Sequence, residues 1–159
     1  MEMKNLYLSI FLVLFLCSSA ESCDQTNPVC VASKIYESTA SFRTEGTKKY
    51  YCEDNLVSYD FAVALGKSLS KTMKENGINY FKQAFHDFGN LKYKITHYKS
   101  NLFLVTVSGR AKAGFTGTDI EKELKEDKTF YLRKEEDSGE YCFPNQLTIP
   151  KRSANTYEP

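Results

Sequence analysis

The chain is 159 residues long, 42% apolar, with 11 Phe and 11 Tyr. That suits one domain with a packed core and excludes a disordered chain. Its 21 Lys and Arg against 20 Asp and Glu leave a net charge of +1 with both signs interleaved. Nucleic-acid binders carry a basic surplus or stripe, so no nucleic-acid partner is expected.

At the N-terminus Lys4 precedes an apolar run from Leu6 to Leu16, followed by Cys17-Ser-Ser-Ala20. A charged start, an apolar core and a small-x-small site predict a secretory signal peptide cut after Ala20. The run is shorter than the ~20 residues that span a bilayer. The expectation is therefore a secreted, extracellular protein with no membrane partner once the leader is gone. Cleavage removes Cys17 and keeps Cys23, Cys30, Cys52 and Cys142. Four cysteines in a secreted chain predict two disulfides, with three connectivities to choose from. The favoured pairing is Cys23–Cys30, closing a short loop around Pro28, and Cys52–Cys142, tying the start of the main helix to the last strand. Loop closure makes the second worth ~4 kcal/mol. The cysteines form no Cys-x-x-Cys pair, so no metal and no cofactor are expected.

Residues 21–50 read as a polar N-terminal segment, with a short element near Val31 to Tyr36. Residues 51–150 read as one domain, and 151–159 as a polar tail. The first helix is predicted from around Asp54 to Ser58 through Glu75. Phe61, Leu65, Leu69 and Met73 recur every four residues, an apolar stripe expected to face the core. Asp54 or Ser58 caps its start and Asn76-Gly77 stops it. A second, shorter helix is predicted over Asn79 to Phe88. From Leu91 the period becomes two: Leu91, Tyr93, Ile95 and His97 share one strand face, and Lys92, Lys94 and Thr96 the other.

The most strand-like run is Leu102-Phe-Leu-Val-Thr-Val-Ser108, and shorter ones follow at Thr129–Leu132 and Glu140–Phe143. Gly109 to Asp119, with three glycines, is the loosest stretch of this half. Ile120 to Lys128 is either a short helical turn or a strand extension. Helices first and antiparallel strands after predict an α+β fold: a long helix, with a short second one, packed on a curved antiparallel sheet.

Two family resemblances attach to these residues. Leu102 to Gly109, then Lys128-Thr-Phe-Tyr-Leu132, then Gly139-Glu-Tyr-Cys-Phe143 resemble the closing strands of nuclear-transport-factor-like domains, over about the last third of the chain. Asp60-Phe-Ala-Val63 looks like the start of a cystatin's main helix, and Val105-Thr-Val-Ser-Gly109 like its first inhibitory hairpin, with Val105 where Gln is usual. Both resemblances imply a roll-like fold. The cystatin one implies inhibition of secreted cysteine proteases, with Val105, Val107 and Gly109 in the wedge and Gly46 as the N-terminal glycine. The other implies a helix–sheet cavity lined by Asp60, Tyr93 and His97.

The catalytic inventory is thin. His86 and His97 are the two histidines, and no His-Glu-x-x-His, phosphate loop or Gly-x-Ser-x-Gly occurs. The chain is therefore read as a non-enzyme. The leading expectation is a secreted, disulfide-stabilised binding module. Its partner is a small apolar ligand at Tyr93, His97 and Asp60, or an extracellular protein. The alternative is the cystatin-like inhibitor, and a small cavity enzyme comes third.

Overall fold

The computed structural model describes residues 23–149; the expected leader, 1–20, and the tail, 151–159, lie outside them. The fold is α+β. Helix α1, Pro28–Ala40, is followed by the long helix α2, Leu56–Glu75, and a single turn, α3, Tyr80–Gln83. Four antiparallel strands then follow in sheet order β1-β2-β3-β4: Ala84–Lys99, Leu102–Phe115, Glu121–Lys134 and Tyr141–Cys142.

The start of α1 is written locally. Pro28 opens the first turn, where a missing N–H costs nothing. The Asn27 side chain caps it, accepting from the Val29 and Cys30 amides at 3.0 and 3.2 Å. The Cys23–Cys30 disulfide closes the seven-residue loop in front (Cα–Cα 5.7 Å). Val31, Ala32 and Ile35 on this helix are buried against Val105, Val107 and Leu132 of the sheet, forming the centre of the core. Sequence reading expects only a short element here, because three apolar residues among Ser, Thr and Lys make a narrow stripe.

The strand signals translate directly. Val105 pairs with Ile95 on one side and Phe130 on the other, and Val107 with Tyr93 and Lys128. Leu91, Tyr93 and Ile95 of β1 and Phe103, Val105 and Val107 of β2 thus face the core, while Lys92, Lys94 and Ser108 face water. The loose stretch from Gly109 continues β2 as far as Phe115 and then turns over residues 116–119, and β3 begins at Glu121, so Ile120 to Lys128 is mainly strand extension. Gly109 itself has φ +126, and a Cβ there would lie 2.3 Å from the Asn90 carbonyl oxygen. That contact sits beside the register shift between Asp87 and Asn90, where two strands approach too closely for any side chain.

Two expectations are corrected. The second helix ends at Gln83, and Phe85, His86 and Asp87 belong to β1, where they pair with Gly114, Ala113 and Lys112. A partner strand supplies their backbone hydrogen bonds, and that outweighs a short helical pattern. The stripe on α2 does not face the core: Phe61 is 68% and Leu65 44% exposed, and Gly66 is the buried residue of the helix. Helix α2 joins the core by Leu56 and Tyr59, which pack beside Tyr51. It is also held at Gly66, where a Cβ would lie 2.6 Å from the Phe42 carbonyl oxygen. Its start uses neither Asp54 nor Ser58 as cap. Asn55 occupies that position, and its buried amide donates to the Phe143 and Pro144 carbonyls at 3.2 and 3.1 Å.

The second disulfide, Cys52–Cys142, joins residues 90 apart (Cα–Cα 5.1 Å) and fixes the start of α2 to β4. Both bridges follow the pairing favoured from the sequence. Around this bridge Arg133 binds Asp54 and Glu135 at 3.1 and 2.9 Å. No helix among the described residues is long and apolar enough to cross a membrane.

Candidate functional site

The residues nominated from the sequence do not gather in one cavity. Asp60 is exposed on α2. His97 is exposed at the far end of β1, where its Nε2 lies 2.8 Å from the Ser100 carbonyl oxygen and its ring packs edge-on against Phe103. Tyr93 is half-buried on the core face, ~13 Å along the strand from His97 at the usual rise per residue, and donates to Glu37 of α1 at 3.0 Å. Val105 and Val107 are fully buried in the middle of β2, the strand flanked on both sides, and Gly109 is paired with Leu91 and Glu126. An inhibitory wedge needs an exposed hairpin tip, and Val105, Val107 and Gly109 do not form one.

Around Tyr93 the sheet and α1 build a polar cluster inside an aromatic frame. Tyr36 of α1 donates to Glu126 of β3, stacks parallel to Phe130 and meets Tyr93 edge-on at 6.3 Å. Burial first, then the neighbouring carboxylates Glu126 and Glu37, push both phenols well above the ordinary tyrosine range. Both hydroxyls therefore stay protonated and act as donors. A hydrogen bond to a carboxylate contributes about 1.5–3 kcal/mol when buried, and less in half-exposed positions such as these.

Glu37 also lines a cleft of about 550 Å³ between α1, the following turn and the start of β1. Its polar lining is Lys34, Arg43, Lys82 and His86, with Ser38 and Ser41; Phe81, Phe85 and Phe88 supply the apolar lining. Arg43 builds the junction: its guanidinium donates to the Phe81 and Ala84 carbonyls at 3.1 and 2.8 Å, pinning α3 to the turn after α1. Burial, and secondarily the Arg43 charge, lower the pKa of His86, whose ring stacks against Phe88. At neutral pH the cleft thus holds three fixed cations, Lys34, Arg43 and Lys82, against one carboxylate.

Sequence reading places Lys82 and His86 together in the short second helix. What it misses is that Phe81, Phe85 and Phe88 belong to a cleft wall. The available signal is three aromatic residues interleaved with Lys82 and His86, which on a helix would split into a buried and a solvated face. A smaller niche of about 170 Å³, shared by Phe42, Val63, Gly66 and Phe81, adjoins the cleft at Arg43 and Phe81.

Cys52, Cys142 and Glu135 also lie together. Both sulfurs are committed to the disulfide, so the group does not offer a metal site in this state. Compared with protein families, with curated proteins and with solved structures, the chain has no match.

Proposed function

We propose that this protein is a secreted binding module whose ligand is a small amphipathic anion: a carboxylate or similar acid carrying an apolar or aromatic body. The observation that supports this reading is the cleft, whose lining combines Lys34, Arg43 and Lys82 with Phe81, Phe85 and Phe88 in about 550 Å³. That size falls in the range of small-molecule sites, which combine apolar walls with a few convergent polar groups. The mixed lining is why the ligand is an amphipathic acid, rather than the wholly apolar molecule expected from the aromatic content. Two disulfides, one spanning 90 residues, suit an extracellular life in which the cleft must keep its shape.

The anion sits by Lys34 and Lys82, its body against the phenylalanines, and Arg43 keeps the walls together. The test is calorimetric titration with decanoate and, in parallel, decanol. Decanoate is expected to bind and decanol to bind at least tenfold more weakly, because about one ionic contact separates them. Lys82→Glu is expected to abolish the difference. Because His86 takes up a proton only below its usual range, decanoate affinity is expected to rise on mild acidification. Equal binding of acid and alcohol, or none of either, sinks the proposal.

A further inference from the structure

The exposed face of α2 carries a second recognition surface, independent of the cleft. Val57, Phe61 and Leu65 follow one another at four-residue intervals and are 82, 68 and 44% exposed. At 100° per residue Phe61 points about 140° away from the buried Gly66. The stripe therefore faces outward because of how the helix is seated. An apolar face of three large residues on a helix held at its inner side marks a contact site rather than scattered surface hydrophobes.

The charges beside this stripe say what fits it. Glu53, Asp60, Lys67 and Lys74 are spaced by seven residues and so run down one flank of the helix and its entry turn. The first two are acidic and the last two basic. A copy of the same flank laid antiparallel across a two-fold axis places Glu53 against Lys74 and Asp60 against Lys67. In the same register Phe61 of one copy lies within one residue's rise, about 1.5 Å, of Leu65 of the other. In a parallel two-fold pair the same flanks lie on opposite sides of the contact, so these charges do not meet. Glu53, Asp60 and Lys74 have no ion-pair partner among the described residues, and Lys67 has only Glu45 at 3.8 Å, both side chains being largely exposed.

We infer that the protein associates with a second copy of itself through α2, as an antiparallel helix pair. The interface is isologous, as two-fold contacts are, so each ionic pair occurs twice. Its apolar centre supplies affinity, and its charged rim sets direction and register.

The experiment is sedimentation equilibrium of the disulfide-intact full chain over a range of concentrations, with circular dichroism to confirm folding of each variant. Wild type is expected to be in monomer–dimer equilibrium. Phe61→Glu, at a solvent-exposed position, is expected to fold and remain monomeric. Asp60→Lys alone and Lys67→Asp alone are each expected to weaken dimerisation roughly tenfold, since two attractive pairs become repulsive. Mixed together, the two single variants are expected to form a heterodimer. In it the lysines of the Asp60→Lys chain face the aspartates of the Lys67→Asp chain, and both pairs are attractive again.

A monomer at every concentration overturns the inference. So does a dimer indifferent to Phe61→Glu, or a mixture of the two charge variants that stays monomeric. Recovery of a different protein or of lipid on this face by a wild-type chain that stays monomeric also overturns it. Decanoate binding tests the cleft separately.

Discussion

The two main helices invert the roles that their sequences advertise. Helix α2 is the longer, with an apolar residue at nearly every fourth position, yet Phe61 and Leu65 of its stripe are in water and its buried point is a glycine. Helix α1 is shorter and mixed with Ser, Thr and Lys, yet Val31 is fully buried and Ile35 nearly so. Periodicity reports that a helix has a face. It does not report what is available to cover that face. The curled sheet has one apolar side, and α1 fills it, bringing Tyr36 to Glu126 and Glu37 to Tyr93. With that side occupied, α2 reaches the core only with its first turns and through the close approach at Gly66.

The comparison breaks most visibly in the core. Ile35→Ala is expected to destabilise the protein by about 2–5 kcal/mol, while Phe61→Ala stays within about 0.5 kcal/mol at monomer concentrations. Urea unfolding measures both, and equal losses would mean that the two helices share the core after all. The next effect concerns the seat of α2. Gly66→Ala drives a methyl group into the Phe42 turn, at a cost of about 1–3 kcal/mol for overpacking. Hydrogen exchange is expected to speed up in α2 and the turn while α1 keeps its protection; uniform loss of protection would show that α2 is no separate unit.

The smallest effect sharpens the account of α1. Tyr93→Phe is expected to cost about 1 kcal/mol through loss of the bond to Glu37. In the folded protein Tyr36 and Tyr93 hold their protons above the ordinary value of 10.0. The unfolded chain releases them first, so their contribution is complete below pH 10 and is lost as pH rises past it. An ultraviolet titration is expected to show these two, together with Tyr51 and Tyr80, ionising above the ordinary tyrosine value. Burial is the main cause of the Tyr93 shift, so Glu37→Gln removes only part of it. Ionisation of all tyrosines in one ordinary step would contradict the cluster.

Half of the candidate cleft was legible and half was not. Lys82, His86, Phe81 and Phe85 stand close together in the chain, but a helical pattern scatters them. The other wall, Lys34, Ser38 and Arg43, comes from a segment that reads mostly as polar and irregular. Tyr93, expected to touch ligand directly, instead lies one hydrogen bond behind the cleft, through Glu37. His97 is a sequence candidate for sharing a strand face with Tyr93, and it does share that strand. The face leaves the core before reaching it, however, and the ring is taken up by the turn at Ser100.

What the sequence determined by itself was whatever chain-local geometry controls. Helix α2 ends at Glu75, with Asn76 as its cap and a left-handed Gly77 after it. Leu102 to Ser108 is strand because alternating β-branched and aromatic side chains fit a pleat. The four cysteines of the described chain pair as their spacing favoured. The tertiary structure alone decided which helix the sheet would accept, whether Phe85 to Asp87 would take hydrogen bonds from a helix or from β2, and which distant residues would face one another across the cleft. Burial and sheet pairing are properties of two surfaces at once, and a single stretch of chain carries only one of them.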